Sequence, residues 1–479
     1  MLFTTSKYWL FLTIVFFVYW SIVIAAKHRR LAVLCIVLAS YYFYALWNPK
    51  FVLLLFAIST IDFLTAKGIA ATANQKLRRT LLFTSVFIDI GTLLIFKYFN
   101  FFSVSATTLL ETLHVQTRSF LIEDLVIPLG LSFITFRSLS YVVDVYRKTT
   151  PATTRYFDYL AFVAFFPTLI AGPVVRAKDL LPQFEKPELR SDRGIEAIFL
   201  ILVGLIKKVA IADMIGNNLV DRVFDQPQLY SSLETLAAIY GYALQIYCDF
   251  SGYTDIAIGS ALLLGFELPV NFNSPYRAQN LRDFWKRWHI TLSSWLFDYV
   301  YISIGGLRKR RFNLYRNLFL TFLIGGLWHG AGWTFVIWGG LHGLGLSASH
   351  WWNRRQGATA RNNSSAWLPI WKSAVCTVAT FHFVCLTWIV FRAETLTQVG
   401  EVLKRLAALQ FSAGNLPTSL IILLIVGFIS HWVPARTLNA VRNGWCWLPS
   451  PAQAAVVVGV AFGLYYLSGA EVQFIYGNF

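Results

Sequence analysis

WLFLTIVFFVYWSIVIAA, residues 9–26, runs for 18 residues without a charged side chain. A helix needs ~20 mostly apolar residues to cross the hydrocarbon of a bilayer, so this stretch reads as a membrane span. Comparable blocks stand near residues 31–46, 51–66, 81–96, 121–143, 157–175, 195–206, 233–264, 318–349, 373–391, 417–433 and 452–469. Together they predict an all-α polytopic membrane protein with about 11–13 membrane segments. No ten-residue alternation of apolar and polar residues recurs, which argues against an outer-membrane barrel. Composition agrees: of 479 residues, 56% are hydrophobic and 14% charged, and mean hydropathy is +0.56. A water-facing globule carries about a quarter of charged residues, so membrane lipids must cover most of this surface. The first block is longer than the apolar core of a secretory signal and follows a single charge, Lys7, so it is expected to stay as a helix.

The net charge of +17 is spread over many short loops, which speaks against a nucleic-acid-binding module. Basic residues mark the cytoplasmic side of a membrane protein. Lys27, Arg29 and Arg30 follow the first block, and the loop near Asn48–Lys50 is almost neutral. Lys67, Lys76, Arg78 and Arg79 make the third loop basic, Glu111, Glu123 and Asp124 make the fourth acidic, and Arg147, Lys148 and Arg155 make the fifth basic again. This alternation puts the N-terminus outside. Block 157–175 breaks the pattern: basic loops flank it on both sides, the later one holding Arg176, Lys178, Lys186, Arg190 and Arg193, and it contains Pro167, Gly172 and Pro173. A re-entrant element is expected there, inside protein or beside a water-filled cavity. The most basic stretch, 274–316, carries Arg277, Arg282, Lys286, Arg287, Arg308, Lys309, Arg310, Arg311 and Arg316. It either meets lipid headgroups or attracts an anionic cytosolic ligand. No Gly-Lys-Ser/Thr phosphate loop is present, which disfavours an ATP motor. The five cysteines form no CxxC pair, and no metal site is expected.

Three groups of residues could carry chemistry. His329 lies in GGLWHGAGWTFVIWGGLHG, residues 325–343, and eight of the 30 glycines fall within 325–345. Such density allows close helix contact or an unwound turn. An imidazole inside a membrane is either a general base or a core histidine satisfied by a carbonyl; His342 reads as a packing residue. His289 lies in DFWKRWHITLSSWLFDYVYISIGG, residues 283–306. There Trp285, Trp288, Leu292, Leu296 and Tyr299 keep helical spacing, with Arg282, Lys286 and Arg287 on the polar side, so an amphipathic interfacial helix is expected. Asp249 and Asp255 stand in QIYCDFSGYTD, a mostly apolar run. A buried Asp needs a partner; Asp249 either orients a histidine or belongs to a proton path, and no local cation is evident for it.

These stretches, with FKYFNFF at 96–102, PLGLSFITFRSLSYVVDVYR at 128–147, FFPTLIAGPVVR at 165–176 and NFNSPYRAQNLRDFWKRWHITLS at 271–293, resemble the membrane-bound O-acyltransferase (MBOAT) family, in particular its bacterial alginate O-acetyltransferase branch. The resemblance is strongest over 96–345, with 346–479 adding C-terminal helices to a single membrane domain, 1–479. It implies helices in a ring around a central funnel and channel, and transfer of an acyl group from a cytosolic thioester. His329 matches the family's key histidine and His289 its RWH histidine. Asp249, Tyr253, Trp285, Trp288, Trp328 and Trp333 would then support or line the tunnel, and Arg282, Lys286 and Arg287 would meet the donor. The chain departs from the family pattern at Arg137, Cys248, Phe297 and Ser303, where relatives commonly have Gln, Phe, Arg and Pro.

The reading is an O-acetyltransferase of the bacterial inner membrane, with a periplasmic N-terminus. It would take acetyl-CoA as donor, hold no permanent cofactor, and serve an exported or cell-wall polysaccharide with a periplasmic acetyltransferase or esterase-like partner protein. The rival is a proton-coupled transporter or flippase built on Asp249, Asp255 and the histidines.

Overall fold

Thr5 starts the first helix, its hydroxyl accepting the Tyr8 N–H at 3.4 Å. One face of that helix buries Tyr8, Phe11, Leu12, Val15 and Tyr19, while Leu10, Ile14 and Phe17 on the opposite face are 55–65% exposed. Large apolar residues displayed along one stripe are stable in lipid and costly in water. Leu53, Phe83 and Phe87 repeat the pattern on later helices.

The computed structural model describes residues 3–115, 117–185, 191–306, 311–355 and 369–467. Arg308, Lys309 and Arg310 of the basic stretch, and Lys186 and Arg190, lie outside the described residues. The described chain is helical, with no β-strand, and falls into two compact units. The first, residues 1–201 with 254–269, holds α1 (Ser6–Ser21), α2 (Arg29–Ala45), α3 (Lys50–Ala71), α4 (Gln75–Leu93), α5 (Phe99–Thr112), α6 (Leu131–Arg147), α7 (Tyr156–Ala164), α8 (Ala177–Leu180) and most of α9 (Ser191–Leu205). The second, residues 202–253 with 270–479, holds α10 (Asp221–Asp225), most of α11 (Ser232–Leu263), α12 (Leu281–Trp285), α13 (Ile290–Trp295), α14 (Arg311–His329), α15 (Trp333–Arg355), α16 (Ile370–Arg392), α17 (Leu396–Ala407), α18 (Thr418–Trp432), α19 (Ala435–Trp447) and α20 (Ser450–Leu467).

Five described helices are long and apolar enough to cross a membrane, or six if α18 and α19, bent by 94°, count as one span. The number is smaller than the number of apolar blocks because several blocks fold with internal breaks or buried polar residues. Block 157–175 is the clearest case. Helix α7 stops after Ala164, Phe166–Thr168 make one tight turn around Pro167, and the chain then runs without helix to Arg176. All of residues 158–171 are buried. The freed carbonyls are collected by the buried Arg137 of α6, which donates to Val163 O at 2.9 Å, to Thr168 Oγ1 at 2.7 Å and to Thr168 O. Ser40 Oγ accepts the Phe166 N–H at 3.2 Å. The break expected from the prolines is therefore satisfied inside protein, as irregular backbone in a membrane protein must be.

Candidate active site

The amphipathic helix expected over 283–306 is not continuous. Helix α12 ends at Trp285, a turn follows, and α13 begins at Ile290. The cause is non-local. The extended segment before α12 captures two backbone groups: Asn273 N–H donates to Arg287 O at 2.9 Å, and Ile290 N–H donates to Asn271 O at 3.0 Å. Between them His289 takes a left-handed backbone, φ 40° and ψ 55°, which costs a residue with a Cβ about 1–2 kcal/mol and is found mostly where surrounding structure enforces it. The apolar face is nevertheless as expected: Trp285, Trp288, Leu292, Leu296 and Tyr299 are all buried.

That turn fixes the His289 ring. Asn271 Oδ1 accepts the Thr291 N–H at 3.2 Å and the Thr291 hydroxyl at 2.8 Å, and lies 3.1 Å from His289 Nδ1. A backbone N–H only donates, so the Asn271 atom is the carbonyl oxygen and His289 Nδ1 carries the proton. Nε2 is left with its lone pair, buried and without a hydrogen-bond partner among the described residues. Phe250 packs edge-on against the ring at 4.7 Å, and Phe272 stacks at 6.4 Å.

His329 closes α14 and is 3% exposed. Its ring packs against Trp328 at 4.9 Å, Trp338 at 5.0 Å and Phe391 at 5.3 Å. The glycine-rich stretch lets α14 and α15 touch backbone to backbone. A Cβ on Gly326 would meet Phe335 O at 2.3 Å, and one on Gly330 would enter the Phe335 ring at 2.2 Å. Trp328 joins the two imidazoles, its ring being 6.2 Å from His289 and 4.9 Å from His329. Trp288 lies 5.1 Å from Trp388, which stacks on Trp338.

His342 is fully buried in the same cluster. Thr387 donates to Val384 O at 2.8 Å, so it accepts from His342 Nε2 at 3.0 Å, and His342 Nδ1 accepts the Trp285 indole N–H at 3.3 Å. With both nitrogens engaged this ring positions Trp285, in keeping with a packing role.

Asp249 has a cation beside it after all. Its carboxylate lies 2.5 Å from Nζ of Lys208, which also reaches Asp213 at 2.7 Å and sits 5.5 Å from the Tyr253 ring centroid. Lys208 belongs to a π-helical turn, Ile206–Asp213, and Gly252 lets that turn approach α11: a Cβ there would stand 3.2 Å from Lys208 N. Lys208 and Asn271 are the site residues the sequence reading missed. The signal for the first was a lysine pair inside the apolar run IFLILVGLIKKVAIAD, residues 198–213, because a buried lysine demands a carboxylate.

Arg282 and Lys286 are exposed, whereas Arg287 pairs with Asp283 at 2.8 Å and donates to Asn273 O at 3.3 Å. Of the three, Arg287 holds the turn and the other two stand exposed. Trp333, expected to line the tunnel, begins α15 and is 54% exposed, and Trp338, one and a half turns on, packs against His329. Among the described residues no three His, Cys, Asp or Glu side chains converge as a metal site.

The sequence of residues 87–389 matches the membrane-bound O-acyltransferase family. The chain is 40% identical over 412 residues to a probable alginate O-acetylase of Pseudomonas aeruginosa, covering 86% of this chain and 75% of that protein. It is 37% identical over 428 residues to a peptidoglycan O-acetyltransferase of Helicobacter pylori, covering 83% and 78%. A teichoic acid D-alanyltransferase of Bacillus subtilis is 29% identical over 286 residues, covering 57% and 70%.

Proposed function

The chain belongs to the membrane-bound O-acyltransferase family, and from that premise we propose that it moves an acetyl group from cytosolic acetyl-CoA across the bacterial inner membrane, for O-acetylation of an exported or cell-wall polysaccharide. The observation that carries the reading is the pair of buried imidazoles on one indole, His289 and His329 either side of Trp328. Two nitrogen bases enclosed by aromatic rings suit transfer between a thioester and a hydroxyl, because enclosure keeps water from competing for the acyl group.

In this reading the helices form a ring, with a funnel from the periplasm and a channel from the cytosol meeting at His329. Acetyl-CoA enters near Arg282, Lys286 and Arg287. His329 takes the proton of the acceptor hydroxyl, or takes the acetyl group itself; the thiolate of coenzyme A leaves, and the proton goes to it. His289, with Nδ1–H held by Asn271 and a lone pair on Nε2, positions the donor or receives the proton in relay. A periplasmic acetyltransferase or esterase-like partner completes delivery to the polymer. The acceptors in the relatives' names, alginate and peptidoglycan, support a glycan hydroxyl, and the teichoic acid relative keeps D-alanyl transfer as a related chemistry. The carrier reading is weakened because Asp249 is already engaged in a buried ion pair with Lys208.

The test uses the full chain in lipid vesicles with radiolabelled acetyl-CoA and, in cells, acetylation of the polymer. His329→Ala should lower transfer by roughly 100-fold or more. Full transfer by this variant at normal expression would overturn the assignment, and solute movement without any acyl donor would favour the carrier.

A further inference from the structure

A cavity of about 290 Å³ in the second unit lies between the π-helical turn Gly216–Val220, which brings Asn218 and Leu219, Arg222 of α10, Tyr230 ahead of α11, and Asn415 and Pro417 ahead of α18. Its lining is held in place. Leu219, 2% exposed, belongs to an apolar cluster with Val223, Ala238 and Leu420, on which Tyr230 packs. Ser231 Oγ donates to Ser412 O at 2.5 Å, and Asn415 N–H donates to Glu234 Oε1 at 2.8 Å, so the 412–417 segment is tied to the start of α11. Walls fixed by the fold leave little to be ordered when a ligand enters.

The polar groups of the lining specify what that ligand carries. Asn218 Nδ2 donates to Met214 O at 2.9 Å, and Asn415 Nδ2 donates to Glu234 Oε2 at 3.3 Å. Each amide therefore keeps Oδ1 as an acceptor. Arg222 donates from Nε to Asn217 O at 3.1 Å, and its terminal nitrogens make no ion pair among the described residues, since the adjacent Asp221 pairs with Arg392 at 2.8 Å. Glu234, behind Asn415, is 1% exposed and is engaged by the Ser231 N–H and by Asn415. The cavity thus offers two acceptor oxygens, one cationic fork and the ring of Tyr230. A bare anion answers the fork and sets negative charge against both amide oxygens. A neutral sugar donates to the amides and gains nothing from the fork. A sugar bearing a carboxylate does both: its hydroxyls donate to the amides, its carboxylate takes the guanidinium, and its ring lies on Tyr230. The volume is at the small end for a ligand pocket and suits one sugar unit.

The side of the membrane follows from α18. This helix starts beside the cavity, after Pro417, and its other end carries His431, whose Nε2 accepts the Tyr276 N–H at 3.2 Å. Fifteen residues rise ~22 Å, so the cavity and the basic stretch 274–316 stand at opposite ends of α18. With the donor entering beside Arg282 from the cytosol, the cavity opens toward the periplasm.

We infer that Arg222, Asn218, Asn415 and Tyr230 form a subsite for one carboxylate-bearing sugar unit of the acceptor polymer. The inference rests on the acyl-transfer reading for its place in the reaction, and the binding itself needs no acyl donor.

The experiment is equilibrium binding of a labelled uronic acid trisaccharide to the full-length protein in detergent, beside a neutral glucose trisaccharide and inorganic phosphate. The acidic trisaccharide should bind at least ten-fold more tightly than the neutral one, and phosphate should compete poorly. Arg222→Gln should weaken acidic binding by about ten-fold or more, and Arg222→Lys, which keeps the charge without the fork, should fall between. Arg222 is exposed, so melting temperatures close to that of the wild type are expected for both variants. No binding of the acidic trisaccharide, equal binding of the neutral one, displacement by phosphate as effective as by a free uronic acid, or unchanged binding in Arg222→Gln would each overturn the subsite. Failure of acetyl transfer alone would overturn the reading above and leave the binding result standing.

Discussion

Lys208 Nζ stands 2.5 Å from Asp249 Oδ1, with both side chains 1% exposed. The pair pins a π-helical turn against α11 at the residue before Phe250, whose ring supports His289. Removing one partner of a buried ion pair typically costs ~3–5 kcal/mol, because the other charge is left uncompensated. Lys208→Met should therefore unfold at markedly lower temperature in detergent. Lys208→Met with Asp249→Leu should recover most of the loss, since Asp213 is 18% exposed and can reach water. Additive losses in the double variant would show that the pair is not the source of stability.

Asn271 decides which nitrogen of His289 holds the proton. Asn271→Ala should free both the tautomer and the turn, lowering acetyl transfer by roughly 10–100-fold. Asn271→Asp keeps an acceptor at the same place and should retain most of the activity. Comparing kcat with KM for acetyl-CoA separates the effects: loss of proton handling lowers kcat, whereas loss of the turn alone raises KM. Equal activity of Asn271→Ala and wild type would remove the orienting role.

Neighbouring glycines of α15 should answer differently to the same substitution. A Cβ on Gly339 would lie 2.3 Å from Phe322 O and 3.1 Å from Gly326 Cα, both backbone atoms that cannot step aside. A Cβ on Gly340 would meet the Phe319 ring at 3.7 Å, an ordinary contact. Gly339→Ala should cost ~1–3 kcal/mol or more through overpacking, while Gly340→Ala should be neutral or stabilising by up to ~1 kcal/mol through helix propensity. Thermal unfolding of the two variants side by side checks this, and similar values for both would sink it.

The same contrast shows what could be read from the chain. Runs such as residues 9–26 announce lipid-facing helices because their period and composition are local, and the buried face of Trp285, Trp288 and Leu292 follows from local spacing too. The break at His289 does not, because it depends on Asn271 and Asn273 reaching backbone groups 14–19 residues away. Asp249 lacked a visible cation because Lys208 lies 41 residues earlier, and a π-helical turn brings it within reach. Trp333 shares its glycine-rich stretch with His329 yet starts its helix on an exposed face, a matter of rotational phase that composition does not encode.

Arg137 carries the last prediction. Its guanidinium is fully buried and, among the described residues, donates to carbonyl oxygens and a hydroxyl, those of Phe162, Val163 and Thr168. Its value is therefore in donors more than in charge: it satisfies the backbone that α7 abandons at Pro167. Arg137→Ala would leave three carbonyls unpaired at ~1–3 kcal/mol each, more than a marginal fold tolerates, so little folded protein should be recovered from membranes. Arg137→Gln supplies two N–H donors without a charge to desolvate and should rescue much of the loss, whereas Arg137→Met, of similar length but without donors, should behave like alanine. Yields and melting temperatures in the order glutamine, then methionine with alanine, are expected; rescue by methionine would mean that Arg137 fills space and does not cap the broken segment.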